Sequence, residues 1–471
     1  MAEKLKTIVD RLLTGLLGDA EHAEHDRPAL MLDLLSDWLP YRVYDPASRL
    51  YFNARSKGFV LSVTPLIGAD ERTGEILGSF FSEGLPAGAC LQVLHLASPR
   101  ISRIVAPWFA PRYVQGGVYE AIARHRARRL YGLVWESGSQ DAPFHARHHQ
   151  VIVSVGVPAA KAVSNEDLKQ TRDGLVAMLK SLNLGVAEVE PQQLIAIIDD
   201  LTSPTTAPQD DAVPYNPNDA IAAQAIRHDI ELVIHEDRMR LVTERFRATG
   251  KIEDGVPEIG TVYPDAFDVR HFSSRNMPQR WAPWECARLI GDMFTDKLRF
   301  PCPAATMLCL VYPDQEAASA KAGFKFMRTT SLAGTRSARF LPRIGEQAAE
   351  WQHVQSELQE GRRLVRVFYG LTTYSPLGRG DRDERAIKSI YKAAGWDLAD
   401  ERYLQIQGLL AAMPMTLADG LGADMERLKR FKTVLSTTAA NIAPMQGEYL
   451  GSVQSNLTSP SIQGHPKPMP L

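Results

Sequence analysis

Cysteine is scarce in this sequence. The 471 residues include only four cysteines, Cys90, Cys286, Cys302 and Cys309, and no two of them form a C-x-x-C pair. A disulfide-stapled secreted domain and a cysteine-rich zinc module are therefore excluded. We expect buried, free thiols in a reducing compartment.

Long apolar runs are missing as well. No segment approaches the ~20 apolar residues that a membrane-spanning helix needs. The nearest, residues 300–312, contains two prolines and is predicted to form a buried strand. Residues 1–18 contain Asp10 and Arg11 and do not match a signal peptide. We expect a cytoplasmic protein with no membrane span, which meets a membrane through a surface helix or a partner.

Neither sign of charge is in excess. The sequence has 53 Lys and Arg residues against 55 Asp and Glu residues, so its formal net charge is -2. This balance argues against nucleic acid as the main partner. A local basic run covers residues 123–129 (ARHRARR). A solvated helix face is the favoured interpretation of this run, and contact with nucleic acid or acidic lipid is the alternative.

The signatures of common enzymes are also lacking. The sequence has no G-x-x-x-x-G-K-[ST] phosphate loop, no G-x-S-x-G and no H-E-x-x-H. Residues 194–200 (LIAIIDD) imitate a Walker B strand, but a start at Pro191 favours an apolar helix that carries Asp199 and Asp200 at its end. No cluster has the ligand spacing of a metal site. The sequence therefore nominates no catalytic residue, and a binding, scaffold or regulatory protein is the better class.

What is present indicates a globular α+β fold. Hydrophobic residues make up 45% and charged residues 23% of the chain, which are ordinary values. The proline-rich stretch 202–218 is the clearest break. We predict a first mixed α/β lobe over residues 1–201, a linker over 202–218, and a second lobe over 219–400. A helical segment follows over 401–445, and residues 446–471 form a connection.

The order hairpin, helix, strand, helix, strand, helix is predicted twice, once in each lobe, without a residue-level repeat. In the first lobe, strands over 50–54 and 59–64 are expected to be joined by a turn that contains Gly58. Helices are predicted over 283–295 in the second lobe and over 424–437 near the end of the chain.

The cleanest amphipathic element is a helix over residues 4–17. Its apolar stripe includes Leu5, Ile8, Leu12 and Leu16 at helical spacing. One interpretation is that this stripe packs on its own domain. The other is that it binds a partner or a neighbouring subunit, and we name these four residues as candidate partner-binding residues. Direct insertion into lipid is less favoured, because the polar face is poor in basic residues.

Several short stretches carry a resemblance to a known family. They are residues 39–46 (LPYRVYDP), 85–92 (LPAGACLQ), 97–101 (ASPRI), 427–433 (RLKRFKT) and 447–451 (GEYLG). Together they resemble, in order along the chain, the N-terminal region of the TraC family. These proteins are the assembly ATPases of F-type conjugative type IV secretion systems, and they are related to the VirB/TrbE/CagE ATPase class.

The resemblance implies a docking and oligomerisation region of an ATPase that energises conjugative pilus assembly and DNA transfer. It implies a hexamer at the cytoplasmic face of the bacterial inner membrane, with inner-membrane components of the secretion channel as partners. A RecA-like motor that binds ATP and Mg²⁺ follows this region in the family, and this chain ends at Leu471 before any such motif. We expect no cofactor in the chain itself and no nucleic acid on this region. The alternative is a stand-alone cytoplasmic scaffold or nucleic-acid-binding protein without a motor.

Overall fold

The computed structural model describes residues 34–83, 85–137, 145–161, 163–204, 215–243, 266–278, 280–291, 299–334 and 342–447. The strands within these ranges are β1 (Tyr41–Asp45), β2 (Leu50–Asn53), β3 (Ser56–Val63), β4 (Cys90–Ser98), β5 (His148–Pro158), β6 (Val186–Glu188), β7 (Ile230–Ile234), β8 (Met239–Thr243), β9 (Ala266–Asn276), β10 (Ala304–Val311), β11 (Leu364–Pro376), β12 (Asp397–Asp400) and β13 (Lys432–Leu435).

The α-helices of the described part are α1 (Glu71–Glu83), α2 (Ser102–Gln115), α3 (Gly117–Gly132), α4 (Asn165–Ser181), α5 (Pro191–Thr202), α6 (Ile221–Ala225), α7 (Gln315–Ala333), α8 (Pro342–Gln359), α9 (Gly380–Ala393), α10 (Gln405–Ala412), α11 (Leu421–Arg427) and α12 (Ser436–Asn441). Short 3₁₀ helices cover Leu35–Trp38, Pro283–Ile290 and Thr416–Asp419. The predicted α+β fold class is confirmed.

All of these strands belong to one sheet. Their order is β1-β2-β3-β5-β4-β10-β11-β9-β8-β7, with β6 beside β3, β12 beside β9 and β13 beside β11. Every pair of named strands is antiparallel. The sheet is continuous from the first half of the chain to the second because β4 bonds to β10, with Ala97 opposite Ala304 and Cys90 opposite Val311.

The second half of the sheet repeats the topology of the first. The strand order β1-β2-β3-β5-β4 on one side of the central pair corresponds to β7-β8-β9-β11-β10 on the other. The edge strands agree too, because β6 bonds to β3 and β12 bonds to β9. The halves are thus related by an approximate twofold axis between β4 and β10. The assignment of residues to two separate lobes stays a prediction.

The sheet is buried on both faces, as side-chain alternation requires. In β4, Val93 packs in one core cluster and Leu94 in the other, and Val153 and Ile152 divide in the same way in β5. Helices α1, α4 and α9 cover the first face, and α5 and α10 cover the second. The segment 300–312 contains β10, which is buried at the centre as predicted.

Three sequence predictions need correction. Gly58 lies inside β3 opposite Gly156, and the hairpin turn comes earlier, at residues 54 and 55. The helix expected over 283–295 is a 3₁₀ helix that ends at Ile290, and 292–298 lie outside the described residues. The helix expected over 424–437 is interrupted by β13, because the edge of β11 accepts this segment as a strand.

Candidate functional site

The residues nominated from the sequence as partner-binding, Leu5, Ile8, Leu12 and Leu16, lie outside the described residues. Their role stays a prediction. The surfaces and cavities of the described part therefore decide where a site can be.

The Walker B-like carboxylates lie in a helix, as the Pro191 start predicts. Asp199 and Asp200 are buried, and Arg100 holds both, with Nη1 2.8 Å from an Asp199 oxygen and Nε 3.7 Å from an Asp200 oxygen. Ser98 donates a hydrogen bond of 2.8 Å to Asp200. Burial raises the pKa of Asp199, and Arg100 opposes that rise. These carboxylates clamp α5 onto the end of β4 and are not presented to a ligand.

A pocket lies where β4 meets β10. It has about 470 Å³ of space, open solvent included, and its walls include His95, His149, Arg147, Arg299 and Cys302. Nε2 of His95 is 3.1 Å from Nδ1 of His149, so a hydrogen bond joins the two buried rings.

Burial keeps two imidazoles and one thiol of this pocket neutral. Burial lowers the pKa of His95 to about 4 and holds that of His149 well below its usual range. Burial raises the pKa of the Cys302 thiol to about 12. Near neutral pH, therefore, neither imidazole is charged and the thiol is not a nucleophile. Among the described residues, no group of three or more His, Cys, Asp or Glu is placed to hold a metal ion. The four cysteines are buried and free, as predicted.

A helical hairpin formed by α2 and α3, which we call arm 1 (residues 102–132), projects from the end of β4. A small apolar cluster at its base holds it, and this cluster includes Ile101, Val105, Ala127, Tyr131 and Val134. At its tip the chain reverses through Gly116 and Gly117, whose φ values of 69° and 58° suit glycine.

The tip of arm 1 exposes apolar side chains. Val114 is 84% exposed and Val118 is 72% exposed, with Tyr113, Tyr119 and Ile122 also exposed beside them. Exposed apolar residues are ordinary when scattered, but a contiguous group at the end of a projection marks an interaction site.

Behind the tip, arm 1 is strongly basic. Arg126, Arg128 and Arg129 are exposed on α3, and the choice between a solvated face and contact with nucleic acid or acidic lipid stays a prediction. The guanidinium groups of Arg112 and Arg126 lie over the ring of Trp108, at 4.6 and 4.9 Å from its centroid. The contact of Arg126 ties α3 to α2, because the cation lies on one helix and the ring on the other.

Two packed helices, α7 and α8, form a second projection from the end of β10, which we call arm 2 (residues 315–334 and 342–359). Its helices pack through Ala322 and Trp351, and the ammonium of Lys325 lies 5.1 Å from the Trp351 ring centroid. Phe324 and Met327 are 64% and 63% exposed, and Leu332 is exposed on the same helix. Sequence reasoning missed α7, although this apolar spacing was a signal for a helix with one unpartnered face.

The two arms leave the sheet at opposite ends. Arm 1 follows Ser98 and arm 2 follows Val311, the last residues of two neighbouring antiparallel strands. In the described ranges, no helix is long and apolar enough to cross a bilayer. The arrangement therefore places the two arms, with their exposed apolar side chains, at opposite ends of one sheet.

Comparison with known proteins gives a consistent result. A family described as TraC protein matches residues 35–417. "Protein TraC" of Escherichia coli (strain K12) is 22% identical over 465 residues, which cover 94% of this chain and 50% of that protein. The chain thus spans about half the length of the curated relative it matches.

Proposed function

Because the chain belongs to the TraC family, and is thereby a protein of conjugative type IV secretion, we propose that it is the N-terminal docking and oligomerisation region of a secretion ATPase. In this proposal it supports pilus assembly and DNA transfer from the cytoplasmic face of the inner membrane. Its partners are inner-membrane components of the secretion channel and other copies of itself, arranged as a hexamer.

The observation that carries this proposal is the pair of arms. Helices cover both faces of the central strands, whereas each arm presents exposed apolar side chains away from the core. Interfaces are built around such apolar anchors with a polar rim. Arm 2, with Phe324 and Met327, suits the apolar groove of a protein partner.

ATP and Mg²⁺ belong, in this proposal, to a motor outside residues 1–471. The residues of this chain do not fit a nucleotide: there is no phosphate loop in the sequence, and the Walker B-like carboxylates are bound to Arg100. Calorimetry of residues 1–471 with ATP and Mg²⁺ is expected to show no saturable micromolar binding. A saturable micromolar signal would contradict this assignment.

Membrane recruitment in cells tests the docking proposal. The chain is expressed with and without the other components of a conjugation system, and its share in the inner-membrane fraction is measured. We expect recruitment only when those components are present. Phe324→Ser, Met327→Ser and Leu332→Ser together should lower it several-fold, because the apolar anchor is removed.

A matched control replaces exposed apolar residues by Ser at positions outside the arms. Val43, Ile67 and Leu428 are exposed apolar residues that belong to neither arm, and their replacement by Ser should leave recruitment unchanged. Equal membrane fractions with and without the secretion components would contradict the proposal and favour a stand-alone scaffold.

The N-terminal stripe supplies a separate test. We propose that Leu5, Ile8, Leu12 and Leu16 bind a partner or a neighbouring subunit. Replacing all four with Ser should reduce recruitment if the stripe docks. A folded variant with unchanged recruitment assigns the stripe to local packing instead.

A further inference from the structure

We propose that the tip of arm 1 inserts into an anionic lipid surface, so that the chain touches the membrane directly as well as through protein partners. The proposal rests on the proposed function for placing the chain at a membrane. The site consists of the exposed apolar tip, residues 113–122, and the exposed arginines behind it on α3.

The depth of the tip suits a lipid interface. Along the axis of α3, Val118 and Ile122 are separated by about 6 Å, and Arg126 and Arg129 lie about 6 to 10 Å further back. Apolar groups of interfacial helices reach ~5–10 Å into the boundary between headgroups and acyl chains. A tip inserted to that depth places the arginines beside the lipid phosphates.

The charge of arm 1 favours an anionic surface. Its 31 residues contain six arginines and one glutamate, Glu120, and that glutamate is paired with Arg124 at 2.9 Å. Two tyrosines, Tyr113 and Tyr119, stand exposed among the tip residues, and tyrosine is enriched where an apolar phase meets water. Apolar and aromatic side chains therefore share the tip, and the arginines of α3 follow behind them.

A second copy of the chain fits this tip less well. A second group of exposed apolar side chains is on arm 2, whose helix α7 carries Lys321, Lys325 and Arg328 against Glu316. Contact between the two arms would bring like charges together, which is unfavourable in an interface. Nucleic acid would satisfy the arginines but would leave the apolar tip without a partner.

Vesicle co-sedimentation with the purified 471-residue chain tests the proposal without any secretion component. Vesicles of phosphatidylcholine alone are compared with vesicles that also contain phosphatidylglycerol. We expect binding to the anionic vesicles only, and binding should weaken with added salt because surface charges are screened.

Two variants separate the parts of the site. Val114→Ser, Val118→Ser and Ile122→Ser together should weaken vesicle binding by at least about tenfold, since the inserted apolar area is lost. Arg126→Gln with Arg129→Gln should weaken it by roughly tenfold or more and flatten its salt dependence. The matched control, Val43→Ser, Ile67→Ser and Leu428→Ser outside both arms, should bind as the parent does.

Several results would overturn the proposal: no binding to anionic vesicles, equal binding to both vesicle types, or binding that neither arm 1 variant alters. Retention of duplex or single-stranded DNA in place of vesicles would assign the basic face to nucleic acid. Failure here combined with component-dependent recruitment in cells leaves the docking function standing, so the two proposals fail separately.

Discussion

At the scale of single residues, close contacts with segments that are distant in the sequence explain why glycine occupies two positions in the fold. A methyl group on Gly58 would lie 2.1 Å from the carbonyl oxygen of Val155, and one on Gly408 would lie 2.0 Å from the His271 ring. Glycine is equally typical of turns and of such contacts. The sequence therefore could not distinguish a turn at Gly58 from a position in β3, since the neighbouring strand is distant along the chain.

Replacing Gly58 by Ala should lower the free energy of unfolding by about 1–3 kcal/mol or more, because the clashing atom belongs to the backbone of β5. Gly174→Ala is the matched control. No atom lies within 4 Å of a methyl group there, and the residue is inside α4, so a gain of about 0.5–1 kcal/mol is expected. Urea unfolding measures both, and equal effects at the two sites would contradict the packing described.

Buried histidines make the stability of the fold depend on pH. Burial lowers the pKa of His95 to about 4 and that of His271 to about 3. An unfolded histidine takes up its proton near pH 6.5, whereas these two stay neutral in the fold until lower pH. The stability they contribute is complete above about pH 6.5 and falls as the pH is lowered, by ~1.4 kcal/mol per unit and per histidine.

The contribution of His271 to the pH dependence of stability can be measured. Between pH 7 and pH 5 the unfolding free energy of the parent should fall, and His271→Gln should remove about 2 kcal/mol of that fall. Denaturant unfolding at the two pH values is the measurement. An identical fall in the variant would show that His271 is not held neutral in the fold.

At the scale of elements, helix α5 and the two arms show the limits of pattern reading in different ways. The start of α5 at Pro191 was readable because its signal is local. The clamp that holds its end depends on Arg100, about a hundred residues away, and no spacing indicates it. Each arm consists of two helices that are consecutive along the chain. The arms leave opposite ends of the sheet because β4 and β10 pair antiparallel.

Removing Arg100 should destabilise the protein strongly. Arg100→Met leaves the buried carboxylates of Asp199 and Asp200 without their cation, and breaking such a pair costs about 3–5 kcal/mol. Arg402→Met removes an exposed partner of Glu236 and should change the unfolding free energy very little. Similar losses in the two variants would argue against a buried clamp.

At the scale of the whole molecule, the sequence predicted the α+β class and a similar order of elements in the two halves of the chain. These predictions were possible because elements such as β4, β5 and α4 have clear strand or helix periodicity in the sequence. It did not predict one continuous sheet, since the β4–β10 pairing joins residues more than two hundred positions apart. The short edge strands β6, β12 and β13 were missed for the same reason. Their pairing partners, not their own composition, make them strands.

The central claim is that this chain docks through its projecting arms. Site-specific photo-crosslinking in cells that carry a conjugation system tests it most directly, with the crosslinker at Phe324 on arm 2 and, as a matched exposed position, at Leu428. We expect a discrete adduct with a secretion component, or with a second copy of the chain, from Phe324 and none from Leu428. No adduct from Phe324, or the same adducts from both positions, would contradict it.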